Sequence, residues 1–216
     1  MDIVVLVSGR GSNLRAIVEA IDEGRCAARI VGVVSDRRSA PALQFAEERH
    51  IPTRVVHPRE HSSREAWDAA LAEAVGAWGA ELVVLAGFMR IVGPAMIAAF
   101  PWRIVNVHPA LLPSFPGSDG PAQAIAAGVR ISGCTVHLVD AGVDTGPILA
   151  QAAVPVRGDD TVESLHRRIQ RQEHRLLPFV VDAIARGWMR LGASPTVAPA
   201  HEPSDGSTGF VSPPFV

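Results

Sequence analysis

The sequence predicts an α/β fold, a mostly parallel sheet with an antiparallel edge near the C-terminal part. Two observations carry that expectation. Short runs rich in Val and Ile alternate with longer segments of helical period, the pattern of βαβ units. Late in the chain, two apolar runs follow one another with only a turn rich in Asp and Gly between them. With no crossover helix available, that pair is expected to run antiparallel at one edge of the sheet. A hydrophobic content of 48% in 216 residues supports a sizeable core.

Taken in order, the first strand is expected at residues 3–7, followed by the turn "SGRGSN" and a helix from about Ser12 to Ile21. "ARIVGVVSD" reads as a second strand and "APALQFAEERH" as a helix, with Leu43, Ala46 and His50 at helical spacing. "PTRVV" is a third strand. "SREAWDAALAEAVGAW" is an amphipathic helix with Trp67, Ala70, Leu71, Ala74 and Trp78 on one side. "ELVVLAG" and "RIVNV" give the fourth and fifth strands, and "ISGCTVHLVD" and "PILAQAAVPV" the antiparallel pair. From Thr161 to Arg186 the pattern predicts a long helix with Thr161 as N-cap and a kink or break at Pro178. The composition turns to Pro, Ser, Gly and Thr beyond Leu191, so residues 1–190 are expected to form the folded domain and 191–216 a flexible tail.

The totals narrow the function classes. Twenty basic and twenty-two acidic residues give a net charge of −2, with no long-range pull towards nucleic acid or an anionic membrane. Sparse aromatics and the absence of Tyr argue against stacking on single strands. Cys26 and Cys134 lie far apart and fit neither a metal cluster nor a disulfide framework, which suits a reduced cytoplasm. The short apolar run at the N-terminus has no basic segment before it and is too short for a signal peptide or a membrane span.

Four segments carry candidate chemistry. In "SGRGSN" two glycines permit a tight turn, and the amides that open the next helix form an anion site for phosphate. An ordinary βα turn capped by Ser12 or Asn13 has the same residues. In "RIVNVHPALLP", Asn106 and His108 are two apart and share one face at the C-terminal end of a strand, where open α/β sheets bind ligands. An amide donor for an oxyanion and a side chain that titrates near neutrality are two parts of an acyl-transfer site. In "DAGVDTGPI", Asp144 is within reach of His108 as the group that fixes its tautomer, although Asp and Gly are also ordinary turn residues. His137, upstream, reads as a structural side chain near the sheet edge. In "AGFMRIV", Phe88, Met89, Ile91 and Val92 are expected to line an apolar wall while the backbone offers hydrogen bonds to a flat heterocycle. Glu173, among Arg171, His174 and Arg175, is explained by a solvated charged face.

Together "SGRGSN", "AGFMRI", "NVHPALLPSFPG", "GCTVHLVDAGVDTGPILAQ" and "QEHRLLP" resemble, in order, the segments of the glycinamide ribonucleotide formyltransferases, folate-dependent enzymes of purine synthesis. The resemblance spans residue 1 to about residue 187. It implies a Rossmann-like twisted sheet with helices on both faces. It also implies glycinamide ribonucleotide as acceptor and 10-formyltetrahydrofolate as co-substrate, with no metal. Through it, Asn106, His108 and Asp144 correspond to a catalytic trio, and Gly11, Ser12 and Asn13 to phosphate contacts. Glu173 corresponds to a ribose or glycinamide contact, and Arg64, Met89, Arg90, Ile91 and Val92 to the folate site. The implied partners are small molecules alone, with neither nucleic acid nor membrane, in a cytoplasmic monomer or homodimer. Family members commonly carry histidines where Asp119 and Pro121 stand here, a departure that bears on loop closure.

Three other readings share some of these features. A formyltetrahydrofolate hydrolase uses the same trio but normally carries an N-terminal regulatory domain, and this chain begins at the first strand. A methionyl-tRNA formyltransferase would need a C-terminal domain for nucleic acid. A nucleotide-binding module would use the glycine turn and leave the polar trio unexplained.

Overall fold

The computed structural model describes residues 1–197 and 211–212. The chain gathers into two compact units, Met1–Asn106 and Val107–Val216. Among the described residues no helix is long and apolar enough to cross a membrane.

The first unit is built on five parallel strands: β1 (Asp2–Val7), β2 (Arg29–Ser35), β3 (Thr53–Val55), β4 (Leu82–Leu85) and β5 (Ile104–His108), the last of which continues into the second unit. Their order is β5-β4-β1-β2-β3. Central β1 has neighbours on both sides, and Ile3, Val4, Val5, Leu6 and Val7 are all fully buried. That is why its sequence is a continuous apolar run rather than an alternating one. Strand order reverses between β1 and β4, so the turns leaving these two neighbours open at a topological switch point. Helices α1 (Ser12–Asp22), α2 (Pro41–Glu48), α3 (Arg64–Gly76) and α4 (Pro94–Ala99) connect the strands. Short α4, opening with Pro94 and carrying little periodicity, was not expected from the sequence.

The second unit pairs β6 (Ile131–Leu138) with β7 (Ile148–Pro155) antiparallel, as expected from the absence of a crossover helix. The register shifts between Val136 and His137, an irregularity of the kind that re-aims a side chain. Before this pair lies α5 (Gly120–Ala126), and after it α6 (Val162–Ala185). Asp119 is the N-cap of α5 and Pro121 lies in its first turn, a position where the fixed φ of proline suits a helix start. The Thr161 cap is borne out as a reciprocal pair: the Thr161 hydroxyl accepts from the Ser164 N–H, and the Ser164 hydroxyl accepts from the Thr161 N–H. Of the kink or break expected at Pro178, the break does not occur, and α6 runs through it. Leu165, Ile169, Leu176, Leu177, Val180 and Val181 are buried along the helix. Packing of that face outweighs the one backbone bond proline cannot donate.

Within the stretch expected as a tail, β9 (Thr196–Val197) pairs antiparallel with β8 (Met189–Arg190), and β10 (Val211–Ser212) pairs antiparallel with β7. Residues 198–210 and 213–216 lie outside the described residues.

Candidate active site

The second unit holds a histidine–carboxylate group. His108, the last residue of β5, is buried, and its Nδ1 lies 3.4 Å from Asp144 Oδ2. Its Nε2 lies 2.8 Å from the carbonyl oxygen of Phe115. Both ring nitrogens thus face oxygen acceptors, an arrangement that an imidazolium satisfies with two N–H donors. Asp144 sits in the turn between β6 and β7 at a φ of 55°, in the left-handed region that Asp tolerates better than most residues. Its Oδ2 also accepts the Gly117 N–H at 2.8 Å, and its Oδ1 lies 3.5 Å from His137 Nε2. Burial works to raise the pKa of this carboxyl. The hydrogen bonds from His137 and the Gly117 amide, with the charges of His108 and His137, outweigh burial and hold it below the ordinary carboxylate range.

His137 was expected to be a structural side chain bonded near the sheet edge, and its bonds fit that reading. It is buried, with Nδ1 2.8 Å from the Leu138 carbonyl and Nε2 turned to Asp144. The sequence holds no periodic signal for this contact, because β6 is buried at every position from Ser132 to Leu138 and its register shifts beside His137.

The chain beyond His108 is pinned down. Thr135 Oγ1 accepts the Leu112 N–H at 3.0 Å and donates to the Ala110 carbonyl at 2.7 Å. Gln151 Nε2 donates to the Leu112 carbonyl at 2.8 Å. Thr135 and Gln151 are register partners on β6 and β7, so the hairpin fixes the loop that carries the Phe115 carbonyl. Glu173 corrects the expectation of a solvated face: on α6 it is only 5% exposed. Burial pushes the Cys134 thiol upward, and the nearby Glu173 carboxylate pushes it further.

The first unit holds two further groups of candidate residues at its switch point. After β1, Gly11 is the N-cap of α1 at a φ of 71°, and no side chain caps the helix there. Gly11, rather than the Ser12 or Asn13 expected of an ordinary turn, thus occupies the cap position at the N-terminal end of α1. A Cβ on Gly11 would stand 2.6 Å from that of Ala42. Exposed Arg10 adds a positive charge to the same turn.

After β4, the segment 86–93 divides its apolar side chains. Phe88 and Val92 are buried, whereas Met89 is 71% and Ile91 56% exposed. The expected apolar wall thus reduces to Met89 and Ile91, with Phe88 and Val92 in the core. The Met89 N–H donates to Ser8 Oγ at 2.8 Å and the Ser8 N–H to the Gly87 carbonyl at 3.2 Å, so the two switch-point segments are tied together. Arg90 Nε donates to Asp36 Oδ2 at 3.0 Å, and Arg64 Nη2 to the Ile91 carbonyl at 2.8 Å. Asp36, with a fully buried side chain, was not singled out from the sequence, since an Asp after a strand looks like any turn residue.

The family model for formyl transferases matches residues 1–181. A phosphoribosylglycinamide formyltransferase of Mycobacterium tuberculosis is 51% identical over 183 residues, covering 85% of this chain and 84% of the relative. One from Bacillus subtilis is 41% identical over 177 residues, covering 82% and 91%. Among solved structures, a glycinamide ribonucleotide transformylase from Symbiobacterium toebii superposes with a TM-score of 0.89 at 47% identity, covering 91% of this chain and 93% of its own.

Proposed function

The chain belongs to the formyl transferase family, and we propose that it transfers the formyl group of 10-formyltetrahydrofolate to the amine of glycinamide ribonucleotide. The observation that carries this reading is the buried His108, held between Asp144 and a loop carbonyl, two residues along one strand from Asn106.

The substrate amine attacks the formyl carbon, forming a new C–N bond and a tetrahedral intermediate. Asn106 and protonated His108 stabilise the oxyanion. As the bond from carbon to the folate N10 breaks, the proton given up by the amine reaches N10 through His108, directly or by way of water. Gly11, Ser12 and Asn13 hold the substrate phosphate, and Glu173 contacts the ribose or glycinamide part. Arg64 and the segment of Met89, Arg90, Ile91 and Val92 hold the folate. The test is to mix the protein with 10-formyltetrahydrofolate, with and without glycinamide ribonucleotide, and follow folate release by absorbance. Release that requires the acceptor is expected, whereas release without it would make the protein a hydrolase.

Two predictions follow from single positions. Gly11→Ala places a Cβ at a left-handed φ and against Ala42. The backbone conformation alone costs a residue with a Cβ roughly 1–2 kcal/mol. The variant is expected to be less stable to urea by at least about that amount, with a raised KM for glycinamide ribonucleotide. The second prediction concerns pH. Asp144 has a lowered pKa in the folded protein, so its contribution to stability is present above the unfolded value, about 3.9, and fades as pH falls through the folded value. Asp144→Asn should therefore lower urea stability at pH 5 to 7, and the gap to the parent should close below about pH 4. A gap that does not vary with pH would mean the carboxylate charge plays no part.

A further inference from the structure

We propose that Asp68 is a positioning residue for the folate site, acting through the backbone of the segment after β4. The inference rests on the proposed use of residues 89–92 to bind the formyl donor. Asp68 lies on α3 and is 2% exposed. Its Oδ1 accepts the Gly93 N–H at 2.6 Å, and its Oδ2 accepts those of Ala95 at 2.8 Å and Met96 at 3.3 Å. A carboxylate from a different element thus caps α4, where no local side chain does so. Charge-assisted bonds to amides at a helix start are among the stronger ones in a protein.

The contact belongs to a larger clamp. Arg64 and Asp68 are four residues apart and Trp67 adjoins them, so all three share one face of α3. Arg64 donates to the Ile91 carbonyl, Trp67 stacks on Phe88 with ring centroids 6.4 Å apart, and Asp68 holds Gly93. The clamp is anchored in turn: Ser63 Oγ caps α3 by accepting the Ala66 N–H, and Trp67 Nε1 donates to the Val56 carbonyl at 2.9 Å. Residues 88–93 are thereby fastened at three successive points to one helix face. The side chains of Met89 and Ile91 stay exposed along this fastened segment. Gly93 is needed at the third point, since a Cβ there would lie 2.6 Å from Asp68 Oδ2. Removing the carboxylate frees the C-terminal end of the segment and withdraws acceptors from buried amides. The peptide groups proposed to bind the donor then lose their fixed orientation, a loss of preorganisation felt by that ligand.

The test compares Asp68→Ala, Asp68→Asn and Gly93→Ala with the parent in steady-state kinetics, varying each substrate while the other is saturating. Asp68→Ala is expected to raise KM for 10-formyltetrahydrofolate about tenfold or more while KM for glycinamide ribonucleotide stays within about twofold. Asp68→Asn keeps one acceptor oxygen and should recover part of that loss. Gly93→Ala, which displaces the carboxylate without removing it, should reproduce the donor-selective effect if Asp68→Ala is recovered unfolded. Calorimetric binding of tetrahydrofolate to the same proteins should weaken in parallel. Unchanged donor KM, or equal changes for both substrates, would overturn the role of Asp68. Absence of acceptor-dependent turnover in the parent would instead overturn the proposed function.

Discussion

Replacing His108 with Ala is expected to lower kcat by about a hundred- to a thousandfold, with KM for either substrate changed far less. In the proposed mechanism the side chain does two things that exist only once the carbonyl carbon has been attacked: donate to the oxyanion and move a proton to the leaving nitrogen. Interactions of that kind lower kcat and kcat/KM together when removed. The variant also leaves Asp144 with His137 and the Gly117 amide as its remaining partners among those described above. Circular dichroism and urea unfolding would establish that the fold persists. Near-parental turnover with saturating substrates would remove His108 from the mechanism.

Asn106→Ala should cost a similar factor, about a hundred- to a thousandfold in kcat, for a simpler reason. In the proposed mechanism the amide contributes one donor to the oxyanion and transfers no proton. Its position is set by β5, where Asn106 is in register with Leu85 of β4, so the backbone is not expected to move when the side chain is shortened. If Asn106 and His108 serve the same intermediate, as proposed, the double variant should lose much less than the product of the two single losses. Losses that multiply fully would indicate that the two residues act at separate steps.

Much of this arrangement was legible in the sequence because it is local. The alternation of Val105 and Val107 with Asn106 and His108 states a shared face directly, and Thr161 marks the helix start that it caps. The glycine turn is equally local, since the φ of Gly11 follows from the tightness of the turn. What escaped notice depends on partners distant in the chain. Asp68 looks like one more polar residue on an amphipathic helix until Gly93, Ala95 and Met96 are brought against it. Glu173 sits in a run of charges that reads as surface, yet α6 turns it inward. His137 needs both the register shift in β6 and the left-handed turn at Asp144 before it meets a carboxylate. At Pro178 the break that the local rule allows is overruled by the burial of a whole helix face.

The Phe115 carbonyl on His108 Nε2 changes how affinity for this site should be counted. A ligand group that reaches Nε2 exchanges one hydrogen bond for another and adds none. A neutral acceptor is expected to gain little from that exchange, since a protein carbonyl is already a good partner and the net worth of such a bond is about 1 kcal/mol. An anionic oxygen gains more, because a bond between two charged groups replaces one from the protonated ring to a neutral carbonyl. In the proposed mechanism the loop carbonyl is thus a standing competitor that ground-state carbonyls barely displace and an oxyanion readily does. Inhibitors designed for this site would profit from a tetrahedral anionic oxygen more than from any mimic of the formyl group.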